Sequence, residues 1–218
     1  MKLGVLGGTF NPIHLAHLRL AEELRETLEL ERVLLIPAGE PALKRGDVAP
    51  AAHRLEMVRR ATASNPAFEV DDLELRRAGP SFTVDTLRTL RARHPTAALW
   101  FLVGTDTLPE LESWREPERL SELASFAVAT RPGYVGGLRE LLPRVLAAAF
   151  RDGARGLVHA SGNELRAVPF TPLAISASEI RRRAGRGESI RYLVPDEVRE
   201  YIAKHHLYRD EPHEREVD

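Results

Sequence analysis

The sequence predicts an α/β fold, a doubly wound parallel sheet with a short C-terminal helical extension, and three observations carry that expectation. Short apolar runs alternate with segments of helical periodicity, the pattern of strand–helix–strand units whose sheet is covered on both faces. A glycine pair follows the first apolar run just before the first helix, where such folds hold ligands outside the carboxyl ends of their strands. The chain of 218 residues is long enough for one large domain with a full core but too short for two independent enzymes.

Taken in order, Lys2 to Leu6 reads as a buried strand, and Leu15 onward as a helix with Leu18, Ala21, Leu24 and Leu28 on one stripe. Between them lies the most informative stretch, GGTFNPIHLAH from Gly7 to His17. Gly7 and Gly8 are expected to take positive φ and to let the backbone approach a ligand closely. The helix behind them offers unpaired N–H groups and about half a positive charge to an anion. His14 and His17, three apart, share one face of its first turn, an arrangement that suits a nucleoside triphosphate.

Strand-like runs recur at Val33 to Pro37, Phe68 to Asp71, Leu99 to Val103 and Phe126 to Thr130. Helix-like runs fall near Ala51 to Ala63, Thr83 to Arg93 and Leu108 to Leu123. After Arg131-Pro132-Gly133 the pattern predicts a helix near Leu138 to Phe150 and short strands at about Gly156 to Ala160 and Ala167 to Pro169. A helix from Ser176 and another from Asp196 to His205 follow, all within one domain of residues 1–209. The acidic tail, 210–218, lacks apolar periodicity and reads as disordered. Ala38 to Pro50 reads as a loop long enough to move over a ligand, and it carries Lys44, one of three lysines in the chain.

A formal charge of −1 gives no general pull toward nucleic acid or membrane, so any anion site must be local. The absence of cysteine excludes disulfides, zinc–thiolate sites and a thiol nucleophile. The chain enters a strand at Lys2 rather than a signal peptide, and no apolar run approaches the roughly 18 residues of a membrane span. A cytoplasmic protein is expected.

Each motif also has a structural reading. The glycine turn matches neither the dinucleotide pattern G-x-G-x-x-G nor the Walker pattern, and His-x-x-His lacks the third ligand of a zinc site. Ser176 and Glu179 form a capping box, which alone explains the serine. Yet Ser176, Ser178 and Arg181 at a helix start would equally cradle phosphate. Gly104 and Asp106 stand just past a strand, where a ribose hydroxyl could be accepted or the next helix capped. Trp114 could stack on a flat base or fill the core. Ser81-Phe82-Thr83 could cap the following helix or touch a ligand.

Together GGTFNPIHLAH, the loop lysine, PSFTVDTL, FLVGTDTLPELESW, RPG and ISASEIR resemble the bacterial nicotinate-nucleotide adenylyltransferases, in order from Lys2 to about Tyr208. These belong to the wider nucleotidyltransferase superfamily with its H-x-G-H signature. The resemblance implies a Rossmann-like fold and transfer of AMP from ATP to nicotinate mononucleotide, giving deamido-NAD and pyrophosphate with Mg2+. It places ATP on Gly7, Gly8, Thr9, Phe10, Asn11, Gly104, Asp106, Ser176, Ser178 and Ile180, and the mononucleotide on Thr83, Trp114 and Arg131. His14, His17, Lys44 and Arg181 would carry catalysis, with no nucleic acid or membrane partner and a possible homo-oligomer. The family's glycine between the histidines is Ala16 here. Its loop, often Pro-Pro-His-Lys, reads Pro41-Ala42-Leu43-Lys44, so only Lys44 carries over as a loop contact. The alternatives are another adenylyltransferase, acting on nicotinamide mononucleotide or phosphopantetheine, and a non-catalytic nucleotide-binding regulator.

Overall fold

The computed structural model describes residues 1–41, 48–131, 133–134 and 136–209. Lys44, Leu43 and the acidic tail lie outside the described residues. The elements run β1 (Lys2–Gly8), α1 (Leu15–Leu28), β2 (Arg32–Pro37), β3 (Glu40–Pro41), α2 (Ala51–Thr62), β4 (Phe68–Val70), β5 (Pro80–Ser81) and α3 (Thr83–Arg93). There follow β6 (Ala98–Gly104), α4 (Thr107–Glu110), a 3-10 turn (Leu111–Ser113), α5 (Pro117–Leu123), β7 (Ser125–Thr130), α6 (Leu138–Leu141) and α7 (Arg144–Ala147). The chain then forms β8 (Phe150–Gly153), β9 (Gly156–His159), β10 (Glu164–Pro169), α8 (Ala177–Gly185) and α9 (Asp196–Lys204).

Eight strands form one sheet of order β4-β2-β1-β6-β7-β10-β9-β8. The first six in that order pair in parallel, and β9 and β8 close the edge as an antiparallel hairpin. The expected α/β architecture is therefore present, Rossmann-like in its parallel core. Strand period two distributes the core. Leu99, Phe101 and Val103 of β6 join the apolar layer beneath α3 and α5, while Trp100 and Leu102 join the opposite layer with α1, α2 and α9. Successive crossovers leave β1 in opposite directions, toward β2 and toward β6, so the crevice beyond Gly8 and Gly104 is a topological switch point.

Four details differ from the sequence reading. Gly7 and Gly8 do not take positive φ; they finish β1, paired with Ile36 and Pro37 of β2. The left-handed residue of the turn is Phe10, at φ 47°. Gly8 is needed for proximity instead, because a Cβ there would stand 3.2 Å from the Phe10 ring. The helix expected over Leu108 to Leu123 is broken, since Pro117 opens α5 and Glu116 before it is left-handed at φ 49°. The helix expected over Leu138 to Phe150 is broken in the same way at Pro143, with Leu142 held extended, and Phe150 begins a strand. The pair β3–β5 is a two-residue parallel ladder too short to show periodicity in sequence.

Candidate active site

The glycine turn leads straight into α1, whose N-cap is His14. His17, one turn on, accepts the His14 backbone N–H at Nδ1 (3.3 Å), and the two imidazoles stack with ring centroids 3.7 Å apart. Phe10 meets the His17 ring edge-on at 5.2 Å. The spacing of three thus brings both rings to one place, as expected. His14 is only 5% exposed, and its Nδ1 has no hydrogen-bond partner. Burial pushes the His14 imidazole down from 6.5 to about 4, a desolvation effect rather than the helix-start effect that position alone would suggest.

Behind the turn lies a residue that the sequence did not single out. Arg54 of α2 is 1% exposed, and its guanidinium donates to the carbonyls of Thr9 (2.8 Å), Gly39 (2.8 Å) and Ala49 (2.9 Å). It joins the glycine turn to both ends of the connection between β2 and α2. None of these three bonds goes to a carboxylate, and burial lowers the guanidinium from its usual range. Asn11 is a second joint, its Oδ1 accepting from Ala49 N–H (3.1 Å) and from the Tyr208 hydroxyl (2.9 Å). Its backbone carbonyl accepts from Arg181 Nη1 at 2.9 Å, which ties α8 to the turn across 170 positions of sequence. The start of α8 is thereby held beside the turn.

In α8, Ser176 is the N-cap and accepts from Glu179 N–H at 3.2 Å, with Ser178 Oγ 3.3 Å from Ser176 Oγ. Only this half of the expected box forms. The Glu179 carboxylate is gripped by Arg182 and Arg183, and the Arg182 hydrogen bond above all lowers it to about 2. Ile180, expected among the ATP contacts, is instead buried in the core, with its N–H spent on the Ser176 carbonyl. Phe10 is likewise a core side chain.

Two cavities open at this end of the sheet. The first, about 420 Å³, takes in Gly7, Gly8 and Thr9 from the turn, Gly104 from β6, and Thr83 and Trp114 on its far side. Trp114 is half-buried, packs edge-on against Phe101 at 6.1 Å, and keeps its indole N–H without a partner. Asp106 does not cap α4 with its side chain; it bends back so closely that a Cβ on Gly104 would lie 2.3 Å from its Oδ1. The second cavity, about 590 Å³, is lined by Arg131, Ser176, Arg183 and Arg191. Arg131, expected beside Thr83 and Trp114, stands here with Ser176, because β7 lies one strand farther along the sheet than β6.

Arg54, Tyr208 and Glu74, which lines the first cavity, escaped the sequence reading. An arginine on a charged helix, a tyrosine past the last helix and a glutamate in the charged run DDLELRR carry no periodic signal.

Residues 5–183 match the model of the family described as cytidylyltransferase-like. A "Probable nicotinate-nucleotide adenylyltransferase" of Citrifermentans bemidjiense is 47% identical over 215 residues, covering 96% of this chain and 99% of that one. One of the same description from Thermomicrobium roseum is 46% identical, covering 95% and 92%. In fold the chain is similar to a Plasmodium falciparum nicotinic acid mononucleotide adenylyltransferase complexed with NaAD. The TM-score is 0.73 at 19% identity, over 95% of this chain and 97% of that one.

Proposed function

The chain belongs to the cytidylyltransferase-like family, among its nicotinate-nucleotide adenylyltransferases, and from that premise we propose how its residues divide the reaction. The enzyme transfers AMP from ATP to nicotinate mononucleotide, forming deamido-NAD and pyrophosphate in NAD biosynthesis. The observation that carries the residue assignment is the meeting of α1, α8 and the glycine turn, where His14 and His17 stack at the head of α1 and the Arg181 guanidinium donates to the Asn11 carbonyl.

In our reading the triphosphate lies on the turn from Gly7 to Asn11, against His14 and His17, with Ser176, Ser178 and Arg181 facing it. Gly104 and Asp106 hold the adenosine ribose. The nicotinate ring enters the first cavity between Thr83 and Trp114, and Lys44 is kept, on the resemblance, as a contact for the reacting phosphates. Arg131 is better suited to the adenylate side, given its place beside Ser176. A phosphate oxygen of the mononucleotide attacks the α-phosphorus of ATP, the bond from that phosphorus to the bridging oxygen breaks, and pyrophosphate leaves with the electron pair. The nucleophile is already an anion, so no general base is assigned; positioning and charge stabilisation suffice. Each well-placed donor to the developing charge contributes roughly 3 to 4 kcal/mol.

Among the described residues no three His, Cys, Asp or Glu side chains gather to hold a metal. In our reading the divalent cation, magnesium, is carried by phosphate oxygens of the bound ATP. Bound there it would neutralise triphosphate charge. We also read residues 1–209 as one nucleotidyltransferase domain, supported by the unbroken sheet and by the family match, and its place of action as the cytoplasm, where ATP is made and used. Pyrophosphate release with nicotinate mononucleotide, its amide and phosphopantetheine as acceptors tests the function. The acid should exceed the amide by at least about tenfold in kcat/KM; equal rates would remove the acid assignment while leaving adenylyl transfer.

A further inference from the structure

Glu74 is a charged residue type with nine-tenths of its surface buried, set in the wall of the cavity assigned to the nicotinate ring. Its Oε1 accepts the Thr86 hydroxyl at 2.5 Å, and its carboxylate also accepts the Ser81 hydroxyl. Those partners flank the start of α3. Ser81 ends β5, Phe82 is the N-cap, Thr83 is the first helical residue, and Thr86 lies one turn in. The opening N–H groups of α3, at Thr83 and Val84, have no intrahelical carbonyl to serve, and Phe82 brings no side-chain cap. The same bracket reaches the other wall of the crevice. Ser81 Oγ accepts the Gly39 N–H at 3.0 Å, and a Cβ on Gly39 would stand 2.4 Å from the Glu74 carbonyl oxygen.

We propose that Glu74 is a positioning residue for acceptor recognition: by clamping Ser81 and Thr86 it aims the first N–H groups of α3 at the ring substituent, and so sets the preference for the acid over the amide mononucleotide. The proposal rests on the adenylyl-transfer reading. A carboxylate on the ring accepts from both N–H groups, whereas an amide turns its own donors toward one of them and leaves a buried donor unpaired. Discrimination of this kind is sensitive to the direction of the donors, and the carboxylate of Glu74 is what fixes it. Burial pushes the Glu74 carboxyl above its usual range, against the opposing pull of the Ser81 and Thr86 hydroxyls and the charges of Arg77 and Arg54.

The test compares wild type, Glu74→Ala, Glu74→Gln and Thr86→Val in steady-state pyrophosphate release with both mononucleotides, each variant first checked by its melting transition. Glu74→Ala should raise KM for the acid by roughly tenfold and cut the acid-to-amide ratio of kcat/KM by roughly fivefold, while KM for ATP stays within about twofold. Glu74→Gln, which keeps an acceptor oxygen, should recover most of the ratio, and Thr86→Val, which opens one side of the bracket, should lose part of it. If Glu74→Ala does not fold, Thr86→Val carries the test alone. Folded variants with the wild-type ratio, or with KM for ATP rising in step with KM for the acid, overturn the proposal. Wild type inactive with both mononucleotides overturns the functional reading and the proposal with it; an acid-selective wild type beside unchanged variants overturns only the proposal.

Discussion

His14 is an imidazole that the fold buries with one ring nitrogen, Nδ1, unpartnered. Desolvation holds it near 4 against an ordinary 6.5. The folded protein therefore binds fewer protons than the unfolded chain between those values. The stability that His14 confers as a neutral ring is complete above pH 6.5 and is lost as pH falls toward 4, by roughly 3 kcal/mol in all. Thermal melting across that interval should fall less steeply in His14→Asn than in wild type; parallel curves would show that another group sets the acid limb. In the proposed site a bound triphosphate would bring full negative charges to the same ring and favour its protonated form. An ATP analogue should raise the His14 pKa in an NMR titration, and no upward shift would separate the ring from the phosphates. His17, stacked on it, should carry more of the rate: His17→Ala is expected to lower kcat at least about a hundredfold, near the loss of a single transition-state donor. The pair was legible in sequence because helical spacing fixes direction. The orphaned nitrogen was not, since burial is set by the assembled fold and helical spacing does not report it.

At the scale of elements, prolines and single buried side chains decided what the hydrophobic pattern could not. The strands with continuous apolar runs, β1, β2, β6 and β7, were readable because each lies inside the sheet with both faces covered. The edge strand β8 was not, because only Phe150 of its four residues is buried. Within α2, Arg54 looks in sequence like one more charge on a solvated helix face. In the fold it replaces solvent for three carbonyls and so sets the spacing between the glycine turn and the β2–α2 connection. Arg54→Met keeps much of the volume but takes the partner from three part-buried acceptors, at up to about 1–3 kcal/mol each. Its melting temperature should fall by several degrees, on the order of 2–4 °C per kcal/mol for a chain of this size, and KM for ATP should rise more than KM for the mononucleotide. Arg54→Lys, with its charge but not its fork, should recover little of either. A full recovery would mean that charge, and not the three-way hydrogen bond, is what the turn requires.

For the whole molecule, the proposed division of the substrates spans the carboxyl end of the sheet, where the Arg181–Asn11 bond ties α8 to the glycine turn. The first cavity is lined from β1, β6 and the start of α3, and the second from Arg131, just past β7, and from α8. The first cavity is lined by Gly7, Gly8 and Thr9 of the turn, and the second by Ser176 at the start of α8, the helix that the Arg181–Asn11 bond ties to that turn. Deamido-NAD, which covalently joins the two halves, loses its freedom once rather than twice on binding, so its affinity should exceed that of AMP or nicotinate mononucleotide singly. Ligand at about one hundred times its dissociation constant stabilises a fold by roughly 2.7 kcal/mol, which for this length means a rise in melting temperature of about 5–10 °C. At equal concentration the dinucleotide should therefore shift melting well above either half. Arg181→Ala, which releases α8 from the turn, should erase most of that advantage while leaving the shift caused by nicotinate mononucleotide in place. A dinucleotide that stabilises no more than its better half would mean that the two cavities never act on one molecule, and the adenylate side would then have to be sought elsewhere on the sheet.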